Sequence, residues 1–151
     1  MDLMIIGDPH AHPDYDNSRF EKLGKFIAKV KPDAVICMGD FADMPSLSSY
    51  DRGTKGFEGR RYQKDVDAAL DAQARLLHPL KRMKNLKRYM VLGNHEDRIT
   101  RVTNSTPELD GTIGIKDLKY KENGWKITQF KKALKIKNIM FSHYFSSGIM
   151  G

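Results

Sequence analysis

The segment "MVLGNHEDR", residues 90–98, joins an apolar stretch directly to a polar cluster. Together with the residues before it, the apolar part reads "RYMVL" at 88–92 and predicts a buried β-strand. The cluster that follows contains four side chains that can bind metal ions or transfer protons: Asn94, His95, Glu96 and Asp97. Such a cluster at the end of a buried strand indicates a functional site at the edge of a sheet.

Two similar strands precede this one along the chain. Apolar runs predict strands at "LMII" (3–6) and "AVICM" (34–38), and apolar residues at helical spacing predict helices over 18–30 and about 63–82. Residues 44–62, which are rich in serine and glycine, are predicted to form a long mobile loop. Three strand-then-helix units in a row predict an α/β fold with parallel strands, right-handed crossovers and helices that cover the sheet.

Polar side chains follow each of the three predicted strands within a few positions. Because the carboxyl ends of parallel strands share one edge of a sheet, and ligands bind just beyond that edge, we expect these side chains to meet. The residues concerned are Asp8 and His10, Asp40 and Asp43, and Asn94 and His95.

The last part of the sequence has a different pattern. Short β-type segments occur at "WKITQF" (125–130), "LKI" (134–136) and "NIMFS" (138–142), and Asn123-Gly124 before them is a strong turn signal. We therefore expect a second sheet to begin at 125. Neither a repeat nor a linker divides the sequence, so one domain is predicted over residues 1–151.

The composition is that of a soluble globular domain. The chain has 151 residues, of which 40% are hydrophobic and 30% charged, enough to build a core. The longest apolar runs fall far short of the roughly 18 residues that a membrane span needs, and the first residues do not resemble a signal peptide. The single cysteine, Cys37, lies in an apolar run and predicts a buried, reduced thiol. These features favour a cytoplasmic protein without a membrane partner.

The chain is basic, with a formal net charge of +7 and an isoelectric point near 9.5. Lysine and arginine residues are concentrated at 81–88 and between Lys116 and Lys137. A basic surface of this kind attracts polyanions such as nucleic acid. A solvated charged face would explain the same clusters equally well, so charge alone leaves both interpretations open.

Carboxylate, imidazole and amide groups at one site match the ligand preferences of Mn, Fe, Zn and Ni. A thiolate site is excluded because the sequence has no second cysteine. Two such ions can activate a water molecule and clamp a phosphoryl group for attack. A neighbouring histidine could then protonate the leaving oxygen, since its pKa lies near neutral pH.

Four motifs in this order resemble those of the calcineurin-like metallophosphoesterase family. They are "DPH" (8–10), "GDFAD" (39–43), "GNHE" (93–96) and "MFSH" (140–143), and each follows or closes a predicted strand. The resemblance covers nearly the whole chain. It implies a layered α/β/β/α sandwich and hydrolysis of phosphate esters with two divalent metal ions, of which Mn is favoured.

The resemblance also implies a role for each motif residue. Asp8 and His10 would bind the first metal ion, and Asp40 would bridge both ions. Asn94 and His143 would bind the second, and Asn94 would also offer an amide N–H to a phosphate oxygen. The general acid would be His95, oriented by Asp43, because a neighbouring carboxylate raises the pKa of a histidine.

Other residues near the motifs carry weaker signals. Arg98, adjacent to "GNHE", is expected to bind the substrate phosphate, although it could simply solvate a loop. His12 is expected to be exposed, on the surface or beside the substrate, and not to bind metal. Glu96 and Asp97 are expected to start the next helix, where acidic side chains complement the helix dipole.

The sequence departs from the family pattern at its C-terminal end. The family has a last Gly-His-x-His motif that supplies one further ligand to each metal ion, and this sequence ends eight residues after His143 without it. "SSG" at 146–148 is expected to be a loop leading to more structure. We therefore expect an N-terminal part of a larger, truncated or split enzyme, incomplete at its C-terminus and completed by a C-terminal fragment or by self-association.

The substrate is only coarsely indicated. "GDFADM" (39–44) lacks the Arg-Gly that follows the second aspartate in the protein phosphatases of the family, which argues against that branch. The basic surface favours phosphodiesters of nucleic acid or nucleotides, and hence a nuclease or phosphodiesterase, over small phosphomonoesters. The alternative is a catalytically inactive or incomplete fragment that binds nucleic acid or a partner protein.

Overall fold

A parallel sheet of four strands forms the centre of the computed structural model, which describes residues 1–145. Its strands lie in chain order: β1 (Leu3–Ile6), β2 (Ala34–Cys37), β3 (Lys87–Val91) and β4 (Lys126–Thr128). All neighbouring strands are parallel, so β1, β2 and β3 end at the same edge. The predicted α/β class and the three predicted parallel strands are confirmed.

Three helices connect the strands or follow them: α1 (Ser18–Val30), α2 (Tyr62–Leu77) and α3 (Asn94–Ser105). The predicted span of α1 is confirmed, and Lys31 ends it in the left-handed conformation. Helix α2 ends earlier than the predicted position near 82, and a short 3-10 turn follows it at His78–Leu80. Pro79 explains the early end, because proline has no N–H for the next helical hydrogen bond.

The sheet has a different layer on each face. Val35 and Cys37 of β2 pack in the main core with apolar residues of the helices, among them Phe20 and Leu76. Ile36, between them, points to the other face, where it packs in a small second cluster. That cluster includes residues of the antiparallel hairpin formed by β5 (Leu134–Ile136) and β6 (Ile139–Phe141). The alternation along β2 therefore buries both faces of the strand.

The prediction that the second sheet begins at 125 is wrong for the first of the three segments. Lys126–Thr128 pairs in parallel with Tyr89–Val91 and completes the first sheet, while Trp125 is buried in the main core. Within the described residues, the second sheet consists of β5 and β6. The short alternating pattern identified a strand correctly, but alternation does not tell which neighbour a strand will join.

Three further expectations concern the chain outside the sheet edge. Cys37 is buried as predicted, and burial raises the pKa of its thiol, which keeps it protonated. No helix within residues 1–145 is long and apolar enough to cross a membrane. The predicted loop at 146–148 lies outside the described residues.

Candidate metal centre

The loops that follow β1, β2 and β3 meet at the carboxyl edge of the parallel sheet. His10 donates its backbone N–H to the carbonyl oxygen of Asp40 at 2.9 Å, and Ala11 donates to Phe41 at 2.7 Å, so the first two loops run side by side. Helix α3 begins at Asn94, immediately after the third loop. Each predicted cluster is thereby delivered to the same edge of the sheet.

Asp43 joins two histidine side chains from different loops. Its Oδ1 lies 2.6 Å from Nδ1 of His10 and 3.2 Å from Nδ1 of His95. The two imidazole rings meet edge to face, with their centroids 4.6 Å apart. One ligand atom from each of the three residues lies within 4.8 Å of the others, a spacing that could hold a metal ion.

A second group has the same spacing and consists of Asp8, Asp40 and His143. Nε2 of His143 lies 3.5 Å from Oδ2 of Asp40 and 2.9 Å from Oδ1 of Asn94. Nδ1 of the same ring lies 2.6 Å from the carbonyl oxygen of Met38, which accepts its proton in the neutral ring. Nε2 thus faces oxygen atoms of Asp40 and Asn94, and a nitrogen and two oxygens so placed match the ligand preferences of a divalent cation.

Asp40 belongs to the second group and also lies close to the first. Its Oδ2 is 3.5 Å from Nε2 of His143 and 3.7 Å from Nε2 of His95, and its Oδ1 accepts the backbone N–H of His95 at 2.9 Å. The side chain is buried. A carboxylate in this position can reach both groups, which is what a bridging ligand requires.

Asp43 holds the ring of His95 in a defined orientation through its backbone carbonyl oxygen and its carboxylate. Nδ1 of His95 lies 2.7 Å from the backbone carbonyl oxygen of Asp43 and 3.2 Å from the carboxylate Oδ1. Burial by itself lowers the pKa of His95, but the hydrogen bond to Asp43 and the charge of Asp40 outweigh burial, so the pKa is raised. A raised pKa favours the protonated ring that a general acid needs.

The carboxylate of Asp43 is kept ionised by the same contacts. Burial by itself raises the pKa of Asp43, but hydrogen bonds with His95 and His10 hold it well below its usual range. Asp43 therefore remains a negative charge beside both imidazole rings at neutral pH.

Arg98 lies at the site, as expected, but its guanidinium group is already engaged with the protein. Nη1 donates to the carbonyl oxygens of Asp43 at 2.9 Å and Met44 at 3.3 Å. Nη2 lies 3.2 Å from Nε2 of His95. Arg98 thus contacts both the loop after β2 and the ring of His95, and its binding of substrate phosphate stays a prediction.

His12 differs from its expectation, because the structure buries it. The side chain lies between Tyr15, whose ring stacks at 4.3 Å, and Arg60, whose Nη1 is 3.1 Å from Nε2. Nε2 is also 3.7 Å from Oδ2 of Asp43. The prediction of an exposed side chain failed because Arg60 and Asp43, which help to cover His12, come from distant parts of the chain that a local pattern does not reveal.

Glu96 is the residue whose importance the sequence did not indicate. It starts α3 as expected, but it is completely buried and accepts hydrogen bonds from two loops at once. Oε2 accepts the N–H groups of Asp40 and Gly93, and Oε1 accepts the N–H of Ala42 and the hydroxyl of Tyr120, all at 2.9 to 3.0 Å. Asp97, by contrast, pairs with Arg101 at the surface.

All eight side chains predicted for the site lie at this edge of the sheet. The structure sorts six of them into two groups, with His10, Asp43 and His95 in one and Asp8, Asp40 and His143 in the other. Asn94 contacts the second group, and Arg98 contacts the first. The prediction paired Asp8 with His10 on one ion, and how the ligands are shared between ions stays a prediction.

Comparison with known proteins agrees with this geometry. The sequence profile described as calcineurin-like phosphoesterase matches residues 1–149. The chain is also similar to the Gene 54 protein of Mycobacterium phage L5, with 28% identity over 96 residues. That match covers 64% of this chain and 36% of the phage protein, so it spans little more than a third of its relative's length.

Proposed function

The chain belongs to the calcineurin-like phosphoesterase family, whose members are hydrolases acting on phosphate esters, and we propose that it hydrolyses phosphodiesters of nucleic acid or nucleotides. The observation that supports the proposal is that two groups of side chains that could hold metal ions meet at one sheet edge. Asp40, a member of the second group, also lies 3.7 Å from His95 of the first. Ligands bind at this edge in open α/β sheets.

Five residues would hold two divalent metal ions, with Mn favoured: Asp8, His10, Asp40, Asn94 and His143. Once bound, the ions would supply a hydroxide nucleophile at neutral pH and neutralise charge on the phosphoryl group. Asp43 binds the ring of His10, and the carbonyl oxygen of Met38 binds the ring of His143. These outer contacts fix the orientation of both imidazole ligands.

His95 would donate the proton that the leaving oxygen requires. Its Nδ1 is fixed against Asp43, so the proton would be transferred from Nε2, which lies 3.2 Å from Nη2 of Arg98 and 3.7 Å from Oδ2 of Asp40. The cavity there has a volume of about 400 Å³, and its lining includes His10, His95 and Arg98. Arg98 and Arg60 line the same cavity together with Asp43 and Asp51, and the two guanidinium groups are the side chains there that would bind an anionic ester.

The phosphodiester preference rests on the charge of the chain and on the residues that follow Asp43. The net charge is +7, and Met44 and Pro45 stand where the protein phosphatases of the family have Arg-Gly.

Mn-dependent hydrolysis of bis-p-nitrophenyl phosphate tests the proposal. We expect activity in the unchanged chain and a loss of at least about 100-fold in Asp40→Ala, because metal binding contributes at least that much. For His95→Ala we expect a loss of this size on a dinucleotide, whose alkoxide leaving group needs a proton, and a smaller loss on bis-p-nitrophenyl phosphate, whose leaving group does not. His78→Ala is the matched control, since His78 is exposed in the turn after α2. A folded chain that is inactive with Mn, Fe, Zn and Ni would contradict the proposal for this chain alone, and would favour either a requirement for a C-terminal segment or a binding module.

A further inference from the structure

A second cavity adjoins the candidate metal centre on the side of Asn94. Its volume is about 570 Å³, and Asn94 and Arg98 form part of its wall. The wall also contains three aromatic and three further basic side chains: Tyr50, Phe130, Tyr144, Arg52, Arg101 and Lys131. We refer to this cavity, defined by these six residues, as the aromatic-basic groove.

The groove carries an excess of positive charge. Asp97 is the one acidic residue of its described lining, and its carboxylate pairs with Nε of Arg101 at 3.4 Å. Arg52 and Lys131 are exposed and add two further positive charges. A polyanion that enters the groove could therefore contact Arg52 and Lys131 without displacing Asp97 from Arg101.

The aromatic rings of the groove are unusually open to solvent. The side chain of Tyr50 is 89% exposed and that of Tyr144 is 55% exposed. Rings so exposed contribute little to the core, and their faces are free to stack on a flat ligand. Nζ of Lys131 lies 5.6 Å from the centroid of the Phe130 ring, which places a cation beside a third aromatic face.

The groove is connected to the predicted chemistry through Arg98. That residue lines both the groove and the smaller cavity that contains His10, Asp43 and His95. Asn94, a proposed metal ligand, lies in the wall of the groove itself. A phosphodiester chain with one phosphate at the metal centre would therefore continue into the groove.

We propose that the aromatic-basic groove binds the single-stranded nucleic acid segment next to the scissile phosphodiester, an inference that rests on the proposed function. Bases stack on Tyr50 and Tyr144, and the adjoining phosphates contact Arg52 and Lys131. Exposed aromatic faces combined with cations are typical of single-strand binding, because unpaired bases offer flat surfaces. A duplex keeps those surfaces stacked, and a phosphopeptide lacks a regular series of them.

Fluorescence anisotropy of a labelled oligothymidine of about 12 nucleotides tests the groove. Binding is measured in EDTA, so that the strand is not cleaved and the result does not depend on activity. Base stacking on one ring contributes enough that we expect Tyr50→Ala/Tyr144→Ala to weaken binding at least about 20-fold. Tyr50→Phe/Tyr144→Phe keeps both rings and should bind within about twofold of the unchanged chain.

Phe26→Ala is the matched control, because Phe26 is an exposed aromatic residue of α1 outside the groove. Equal binding by Tyr50→Ala/Tyr144→Ala and the unchanged chain would overturn the inference, as would equal affinity for the duplex. Tighter binding of a phosphotyrosine peptide than of the oligonucleotide would also overturn it. Hydrolysis of bis-p-nitrophenyl phosphate by the unchanged chain tests the proposed function separately, so the two failures are distinguishable.

Discussion

Three of the proposed metal ligands have an uncommon backbone conformation. The φ angles are 20° for Asp8, 49° for His10 and 49° for Asp40, in the left-handed region that non-glycine residues rarely adopt. The hydrogen bond from the N–H of His10 to the carbonyl oxygen of Asp40 helps to hold this conformation. Strained backbone is concentrated at functional sites, where the surrounding structure fixes it, and here it turns side chains of neighbouring loops toward each other.

Asp65 shows how burial changes the ionisation of a single side chain. It is buried in α2, and Oδ2 accepts the N–H of Ser46, while Oδ1 has no hydrogen-bond partner among residues 1–145. Burial raises the pKa of this carboxyl group. The folded chain then binds the proton more tightly than the unfolded chain, and this stabilising contribution is lost as pH rises through the folded-state pKa.

We therefore predict that Asp65→Asn raises the melting temperature near pH 8 and that the gain shrinks near pH 4. An asparagine keeps an acceptor for Ser46 and removes the buried charge, whereas at low pH the aspartate is itself neutral. Thermal denaturation at the two pH values measures the effect. Asp67→Asn, an exposed change on the same helix, should leave both temperatures nearly unchanged. A lower melting temperature for Asp65→Asn near pH 8 would contradict the argument.

At the scale of elements, the ends of β2 and β3 are joined by one side chain from α3. Glu96 accepts N–H groups from Asp40 and Ala42 after β2 and from Gly93 after β3. The two loops also approach so closely that a side chain on Gly93 would overlap the carboxylate of Asp40. The geometry of the metal-binding edge thus depends on a buried acceptor that need not bind metal.

We predict that Glu96→Gln destabilises the fold although it is nearly isosteric. In either orientation of the glutamine side chain, its NH2 group would replace a carboxylate oxygen that accepts two hydrogen bonds. The two donors at that position would then face another donor; they are the N–H groups of Asp40 and Gly93 in one orientation, and the N–H of Ala42 and the hydroxyl of Tyr120 in the other. At about 1 to 3 kcal/mol for each unsatisfied group, the free energy of unfolding should fall by about 2 to 5 kcal/mol in urea denaturation.

Tyr120→Phe is the informative comparison for Glu96→Gln. It removes one donor to the same carboxylate and leaves the three N–H bonds in place, so its cost should be about 1 kcal/mol. If Glu96→Gln were as stable as the unchanged chain, the hydrogen bonds of Glu96 would not be what holds the two loops together.

The sequence predicted elements well where periodicity was long and strand ends carried polar residues. Helix α1 and the three strands before the site follow directly from apolar spacing. The placement of β4 in the first sheet did not follow, because a three-residue strand has too few side chains to specify its neighbour. The hydrogen bonds by which Glu96 joins the two loops were also missed, because its partners lie up to 56 residues away in the sequence.

At the scale of the whole molecule, the parallel topology explains why a sequence motif could locate the site. The loops after β1, β2 and β3 meet at one edge, so the polar residues that follow these strands in the sequence are also the residues that meet. His143 reaches the same edge from the end of β6 in the second sheet. The division into two groups depends on side-chain orientation across loops, which the order of motifs does not contain. The aromatic-basic groove was also missed, because its lining comes from four separate parts of the chain.

Isothermal titration calorimetry of the metal-free chain with Mn²⁺ measures directly whether this sheet edge holds two metal ions. We expect two bound ions per chain, and we expect Asp40→Asn to weaken the binding of both, because the carboxylate of Asp40 lies near His143 of one group and His95 of the other. His78→Asn, a change outside the site, should leave the stoichiometry at two. Absence of Mn²⁺ binding by the folded chain, or binding that Asp40→Asn leaves unchanged, would contradict the account.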